Sequence, residues 1–149
     1  MRAVVQRVSR ASVSVDRRIA GKIELGIMVL LGVGVDDTAA DAQTMAEKIA
    51  NLRIFADDAG LMNLSVKDAG GSVLLISQFT LHGDARKGRR PSFITAARED
   101  AAKTVYERVG DLLEREGLFV AYGIFGAHMD VELVNDGPVT ILVDTKKAF

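Results

Sequence analysis

The side chains able to do chemistry are few and gathered in short segments. The chain has no cysteine and two histidines, His82 and His128, which excludes thiol catalysis, disulfides and zinc ribbons. A transition-metal centre needs several His, Asp or Glu donors at set spacing, and neither histidine sits in an HxH or HxxxH pattern. No metal and no cofactor are expected. Ser77 and Thr80 lie close to His82 in sequence, which leaves open a hydroxyl nucleophile with a histidine base. A surface or supporting imidazole explains the same residues.

Two polar segments stand out. Ser77-Gln78-Phe79-Thr80 closes the apolar run 73–76, putting backbone N–H groups and small hydroxyls at a strand end. An ordinary polar strand terminus fits as well. Asn135-Asp136-Gly137-Pro138 separates two apolar stretches, and its Asn, Asp and Gly suit a hairpin turn. The proline is the odd member, because it cannot donate to a sheet ladder and only 2 of 149 residues are proline.

Two glycine patterns imitate phosphate loops and fail. After Gly32-Val33-Gly34 the third fingerprint position falls on Asp37, whose carboxylate would repel a pyrophosphate. Gly83-Asp84-Ala85-Arg86-Lys87-Gly88 is followed by Arg89 and Arg90, where Lys and a hydroxyl residue are required. Pro91 also blocks an immediate helix. What remains is a loop bearing Arg86, Lys87, Arg89 and Arg90, either a solvated surface or a phosphate-backbone contact acting through counterion release.

The elements that must carry these segments are read from periodicity. Strands are predicted at 2–8, 12–16, 18–24, 26–33, 72–79, 118–124, 129–135 and 139–145. One helix runs from its cap at Thr38 to about Leu52, with Ala42, Met45, Ala46, Ile49 and Leu52 inward. A second runs from about Thr95 to Glu116, with Ala97, Ala101, Val105, Val109 and Leu112 inward and Gly117 ending it. Residues 53–71 read as irregular. The expected fold is a layered α/β/β single domain over 1–149, its sheets mostly antiparallel or mixed, with both helices on one side.

With 48% apolar and 26% charged residues, the composition is globular rather than disordered. A net charge of −1 excludes a globally basic nucleic-acid wrapper but not a local basic patch. No apolar run approaches the ~20 residues of a membrane span, and MRAVVQRVSRASVSVD alternates instead of forming a signal-peptide core. A soluble, cytoplasmic protein is expected.

SQFTL at 77–81 and NDGPVT at 135–140 resemble the two signature motifs of the D-aminoacyl-tRNA deacylases. MNLSV at 62–66, RPSF at 90–93, FGAHM at 125–129 and the opening MRAVVQRVSRASV resemble that family too. The resemblance implies a homodimeric hydrolase that edits D-aminoacyl-tRNA, and glycine on alanine tRNA, to free amino acid and tRNA. It implies a catalytic segment Ser77, Gln78, Phe79 and Thr80, and an adenosine site at Phe125, Gly126, Ala127 and Met129. It implies a Gly137-Pro138 peptide in cis, inserted into the partner's site to exclude L-amino acids. Proline makes a cis bond inexpensive, and glycine permits close backbone approach. Arg7 is the expected support of that wedge, and Lys87, Arg89 and Arg90 are the expected tRNA phosphate contacts. Catalysis is expected to be assisted by the 2′-hydroxyl of the terminal ribose. The alternatives are a Thr or Ser nucleophile esterase and a non-enzymatic RNA-binding module.

Overall fold

In the computed structural model, which describes all 149 residues, the spine is one long strand, β1 (Arg2–Val15). After it come β2 (Arg18–Ile23), β3 (Gly26–Gly32), helix α1 (Ala39–Asn51), β4 (Phe55–Ala56), β5 (Met62–Leu64) and β6 (Ser72–Ser77). Helix α2 (Glu99–Arg115), β7 (Val120–Tyr122) and β8 (Asp130–Asp144) complete the chain. Six strands form one mixed sheet in the order β2-β1-β3-β6-β7, with β8 also paired to β1. Along one edge of β1 runs β8. The other edge is divided, residues 2–8 pairing β3 and residues 11–15 pairing β2. The β3–β6 and β6–β7 pairs are parallel and the rest antiparallel.

The period-two alternation of a strand divides the core in two. Ile27, Val29 and Leu31 of β3, with Val73 and Leu75 of β6, face α1 and α2 in the larger cluster. Met28, Leu74 and Ile76 point the other way, into a second cluster with Val8, Ala11, Val13, Ile23 and Ala121. Helices cover one face and the sheet, curling over itself, covers the other: Gly21 of β2 lies so close to the Tyr122 carbonyl of β7 that a Cβ there would collide with it. Burial on both faces is why β3 and β6 read as continuous apolar runs. At the start of α1 the Asp41 carboxylate accepts the Thr38 backbone N–H at 2.9 Å and its hydroxyl at 3.1 Å.

Several boundaries differ from the sequence expectation. Segments 2–8 and 12–16 are one strand, because Ser9 is absorbed by an irregularity between Val8 and Arg10 in the β1–β8 register, and Arg10 resumes the pairing opposite Val134 rather than turning. Segments 129–135 and 139–145 are likewise one strand, β8. The chain does not reverse at Asn135–Pro138. Asn135 opposes Val8 and Thr140 opposes Gln6, so residues 136–139 bulge out against Arg7 alone. Helix α2 begins at Glu99, not Thr95, since the Ala96 and Ala97 N–H groups are committed to the Phe93 and Val33 carbonyls. Its inward face is carried by Ala102 and Tyr106, leaving Ala101 exposed. Residues 53–71 hold the small β4–β5 ribbon, and β7 is shorter than 118–124.

Candidate active site

Strand β6 ends at Ser77, and its last pairing, to Leu31, delivers the next residues to the edge of the sheet. The Gln78 N–H donates to the Leu31 carbonyl at 2.8 Å, and Phe79–His82 then wind into one 3-10 turn. The Gln78 side-chain amide donates to the Thr80 hydroxyl. Phe79 is 57% exposed, its ring edge-on to Phe93 at 5.1 Å. Phe79 and Thr80 open this turn, and the first N–H groups of a helical turn find no partner within it.

Beside this turn lies a cavity of about 420 Å³. Leu31, Val33 and Ile76 form its apolar floor, Ser77, Gln78 and Phe79 one wall, and Phe125 to Met129 another. The start of α2 contributes Ala97, Glu99 and Ala102. The structure thus brings residues 77–79 and 125–129 together, while Thr80 is exposed outside the lining. The second wall is locally built. Gly126 takes φ +77°, a left-handed conformation natural to glycine. Gly123 has no Cβ to offer, and one there would stand 2.7 Å from the Met129 sulfur. Phe125 leans on Tyr106 at 5.4 Å between ring centres. The buried Tyr106 hydroxyl donates to the Leu75 carbonyl at 2.8 Å, and burial raises its pKa, so it props the wall from beneath.

His82 does not join the hydroxyls. It is 7% exposed, wedged against the end of β3 and the residues after it, where a Cβ on Gly32 would lie 3.2 Å from its Cδ2 and one on Gly34 3.0 Å from its Cε1. Its Nε2 has no hydrogen-bond partner, and burial pushes its pKa down. No hydrogen bond links it to Ser77 or Thr80. His128 is exposed at the cavity rim.

The bulge 136–139 is held from beneath by Arg7. Its Nε donates to the Asp136 carbonyl at 3.1 Å and its Nη1 to the Ile54 carbonyl at 2.6 Å. The Asp136 carboxylate adds an ion pair at 3.3 Å. Asn135 spans the bulge, its Oδ1 accepting the Val139 N–H at 3.0 Å and its Nδ2 donating to the Thr140 hydroxyl at 3.2 Å. The Gly137–Pro138 peptide is cis, Gly137 has φ +128°, and both residues are exposed. In the sheet register Arg7 opposes Ile27, whereas Ser77 opposes Leu31. The bulge and the turn that follows Ser77 are therefore offset by roughly 13 Å along the strands and by three strand spacings of roughly 4.8 Å across them. Within one chain they do not meet.

The basic loop is closed by paired N–H bonds between Asp84 and Ser92, at 2.8 and 2.9 Å. Arg86 forks onto the Asp84 carboxylate at 2.9 and 2.6 Å, which holds that carboxyl well below the usual range. Lys87, Arg89 and Arg90 are exposed and make no ion pair. One of the four cations seen in the sequence is thus neutralised and three are free. Glu99 escaped the sequence reading, because a carboxylate in the first turn of a helix has a sufficient local reason to be there. No helix is long and apolar enough to cross a membrane.

The family model described as D-Tyr-tRNA(Tyr) deacylase matches residues 4–144. Curated relatives named D-aminoacyl-tRNA deacylase include that of Koribacter versatilis, 61% identical, and that of Fervidobacterium nodosum, 59% identical, each covering 100% of both chains. Among solved structures, the c-Myc DNA Unwinding Element Binding Protein superposes with a TM-score of 0.91 at 41% identity, over 97% of this chain and 99% of that one. A probable eukaryotic D-amino acid tRNA deacylase shares the fold, with a TM-score of 0.81 at 17% identity over 95% and 97% of the two chains. By a match spanning nearly its whole length and relatives alike from end to end, this chain belongs to the D-Tyr-tRNA(Tyr) deacylases, a family of hydrolases.

Proposed function

We propose that this protein edits charged tRNA in the cytoplasm, hydrolysing the ester of D-aminoacyl-tRNA to free D-amino acid and tRNA. The observation that carries the reading is the meeting of Ser77–Phe79 with Phe125–Met129 around one nucleoside-sized cavity. Water adds to the ester carbonyl, the bond to the ribose 3′-oxygen breaks, and that oxygen leaves as the hydroxyl of the terminal adenosine. An ester is an activated acyl group, so no strong protein nucleophile is required. The Phe79 and Thr80 N–H groups stabilise the developing oxyanion, a donor of this kind being worth about 2.7–4 kcal/mol. Ser77 and Gln78 orient the ester, Phe125, Gly126, Ala127 and Met129 hold the adenosine, and the vicinal 2′-hydroxyl positions the water. Lys87, Arg89 and Arg90 contact tRNA phosphates.

Chirality is read by a second copy of the chain. The Gly137-Pro138 bulge stands too far from its own Ser77–Thr80 turn to serve it, so it serves the partner's. The outer edge of β8 has no strand partner, and Val134 and Leu142 are 39% and 58% exposed along it. A long open edge of this kind favours association, and a two-fold dimer gives two equivalent sites. A rigid backbone wedge excludes the L side chain sterically and leaves D side chains free. A thousandfold rejection needs only ~4 kcal/mol. Glycine carries no side chain to exclude, so Gly-tRNA(Ala) is also a substrate. The test is incubation with D- and L-aminoacyl-tRNA of the same amino acid. Preferential loss of the D ester is expected, and equal stability of both esters would refute the reading.

A further inference from the structure

Glu99 is the only formally charged side chain lining the cavity. It is the first residue of α2, it is exposed, and no hydrogen bond or ion pair engages its carboxylate. The helix start alone does not account for its placement, because Asp100 in the same first turn already supplies negative charge to that end and does not line the cavity. Glu99 is set against Gly126, where a Cβ would stand 2.9 Å from its Oε1. The carboxylate therefore rests on the left-handed turn of the second wall, beside an apolar floor. The other polar lining groups are Ser77, Gln78 and His128, and the Gln78 amide nitrogen is already committed to Thr80.

An ionised carboxylate only accepts hydrogen bonds. It repels phosphates and welcomes N–H donors, so it orients an RNA terminus with its phosphates toward Lys87, Arg89 and Arg90 and its N–H groups inward. Resting on the reading of this cavity as the seat of the aminoacyl-adenosine end, we infer that Glu99 is a specificity-determining residue that accepts a hydrogen bond from a substrate N–H group. The aminoacyl-adenosine end carries two such groups, the exocyclic amine of adenine and the α-ammonium of the amino acid. Both present the same chemistry to the carboxylate.

The test compares the full-length protein with Glu99→Gln and Glu99→Ala, reading kcat and KM separately on three substrates. These are D-aminoacyl-tRNA, the same tRNA ending in purine riboside (adenine without its amine), and D-aminoacyl-tRNA whose α-amine is trimethylated, which keeps the positive charge and removes every N–H. Loss of a hydrogen bond to a charged group corresponds to about tenfold or more in kcat/KM. On the intact substrate Glu99→Ala is expected to lose about that factor, chiefly through KM, with Glu99→Gln recovering part of it. On the substrate lacking the bonded N–H the variant and the parent become equal within about twofold, which names the donor. An undiminished loss on both altered substrates would overturn the inference and leave Glu99 a helix-start residue, while preferential D-ester hydrolysis by the parent still stood. Failure of the parent to hydrolyse the D ester would overturn inference and proposed function together.

Discussion

The Arg7 guanidinium donates to the backbone carbonyl of Asp136 at 3.1 Å, and so ties the middle of the first strand to the protruding bulge of the last. The same group reaches the Ile54 carbonyl at 2.6 Å, while only 14% of the side chain is exposed. Removing it leaves two carbonyls without their charged donor. Arg7→Ala is expected to lower stability by about 1.5–3 kcal/mol, read as a fall in Tm, and to reduce D-ester hydrolysis beyond the change in folded fraction. Arg7→Lys should not restore activity, since one ammonium cannot reproduce the planar fork.

Gly137→Ala tests the bulge directly. At φ +128° a side chain is strained, and a Cβ would meet Val139 Cγ2 at 2.9 Å and Arg7 Nη2 at 3.0 Å. A cost of about 1–3 kcal/mol is expected, together with slower D-ester hydrolysis, which the proposed cross-subunit role of the bulge requires. Thermal melting and single-turnover deacylation measure the two effects separately.

Replacing Lys87, Arg89 and Arg90 together by Ala should weaken tRNA binding and flatten its salt dependence. Three lost phosphate contacts correspond to about 2–3 units in the slope of log K against log salt. The D-over-L preference should survive, because phosphates carry no information about the amino acid. An unchanged slope would return the loop to a solvated surface.

Thr80 lies outside the cavity lining and accepts a hydrogen bond from Gln78, with no base against its hydroxyl. Thr80→Ser should therefore keep most activity, and quenched reactions should show no acyl adduct by mass spectrometry. A covalent adduct on residue 80 would favour a nucleophilic mechanism.

His82 links stability to pH. Burial lowers its folded pKa below 6.5, so the unfolded chain binds the proton more readily. The stabilisation is complete above about 6.5 and is lost as pH falls from there toward the folded value. The nearby Arg2 and the terminal ammonium oppose protonation, and Asp37 favours it. Melting curves between pH 7.5 and 5.5 should show this decline, and His82→Gln should remove most of the part due to this residue.

Much of the architecture was legible because β3 and β6 are buried on both faces and therefore apolar throughout. Helix α1 was legible from its cap and spacing. The reversal expected at Asn135–Pro138 was not found, because the same residues suit a turn and a bulge. What separates the two is Arg7, more than a hundred positions away. The start of α2 was misjudged for a similar reason, since the Val33 carbonyl takes the Ala97 N–H and no local signal announces that bond. Of the site, the individual segments could be read as motifs. Their convergence with Glu99 could not, because it is made by packing α2 against the turn at Gly126.

The pairing of β1 with β8 also sets an order of events during synthesis. Arg2 pairs with Asp144 and Val13 with Val131, so the spine acquires its second neighbour only after almost the whole chain has left the ribosome. Contacts of such long sequence separation slow folding. At about 5–20 residues per second, the Ser77–Thr80 segment is made several seconds before the residues that form the bulge exist. Newly made molecules therefore gain the pocket wall at 125–129, the bulge and the open edge of β8 last and nearly together.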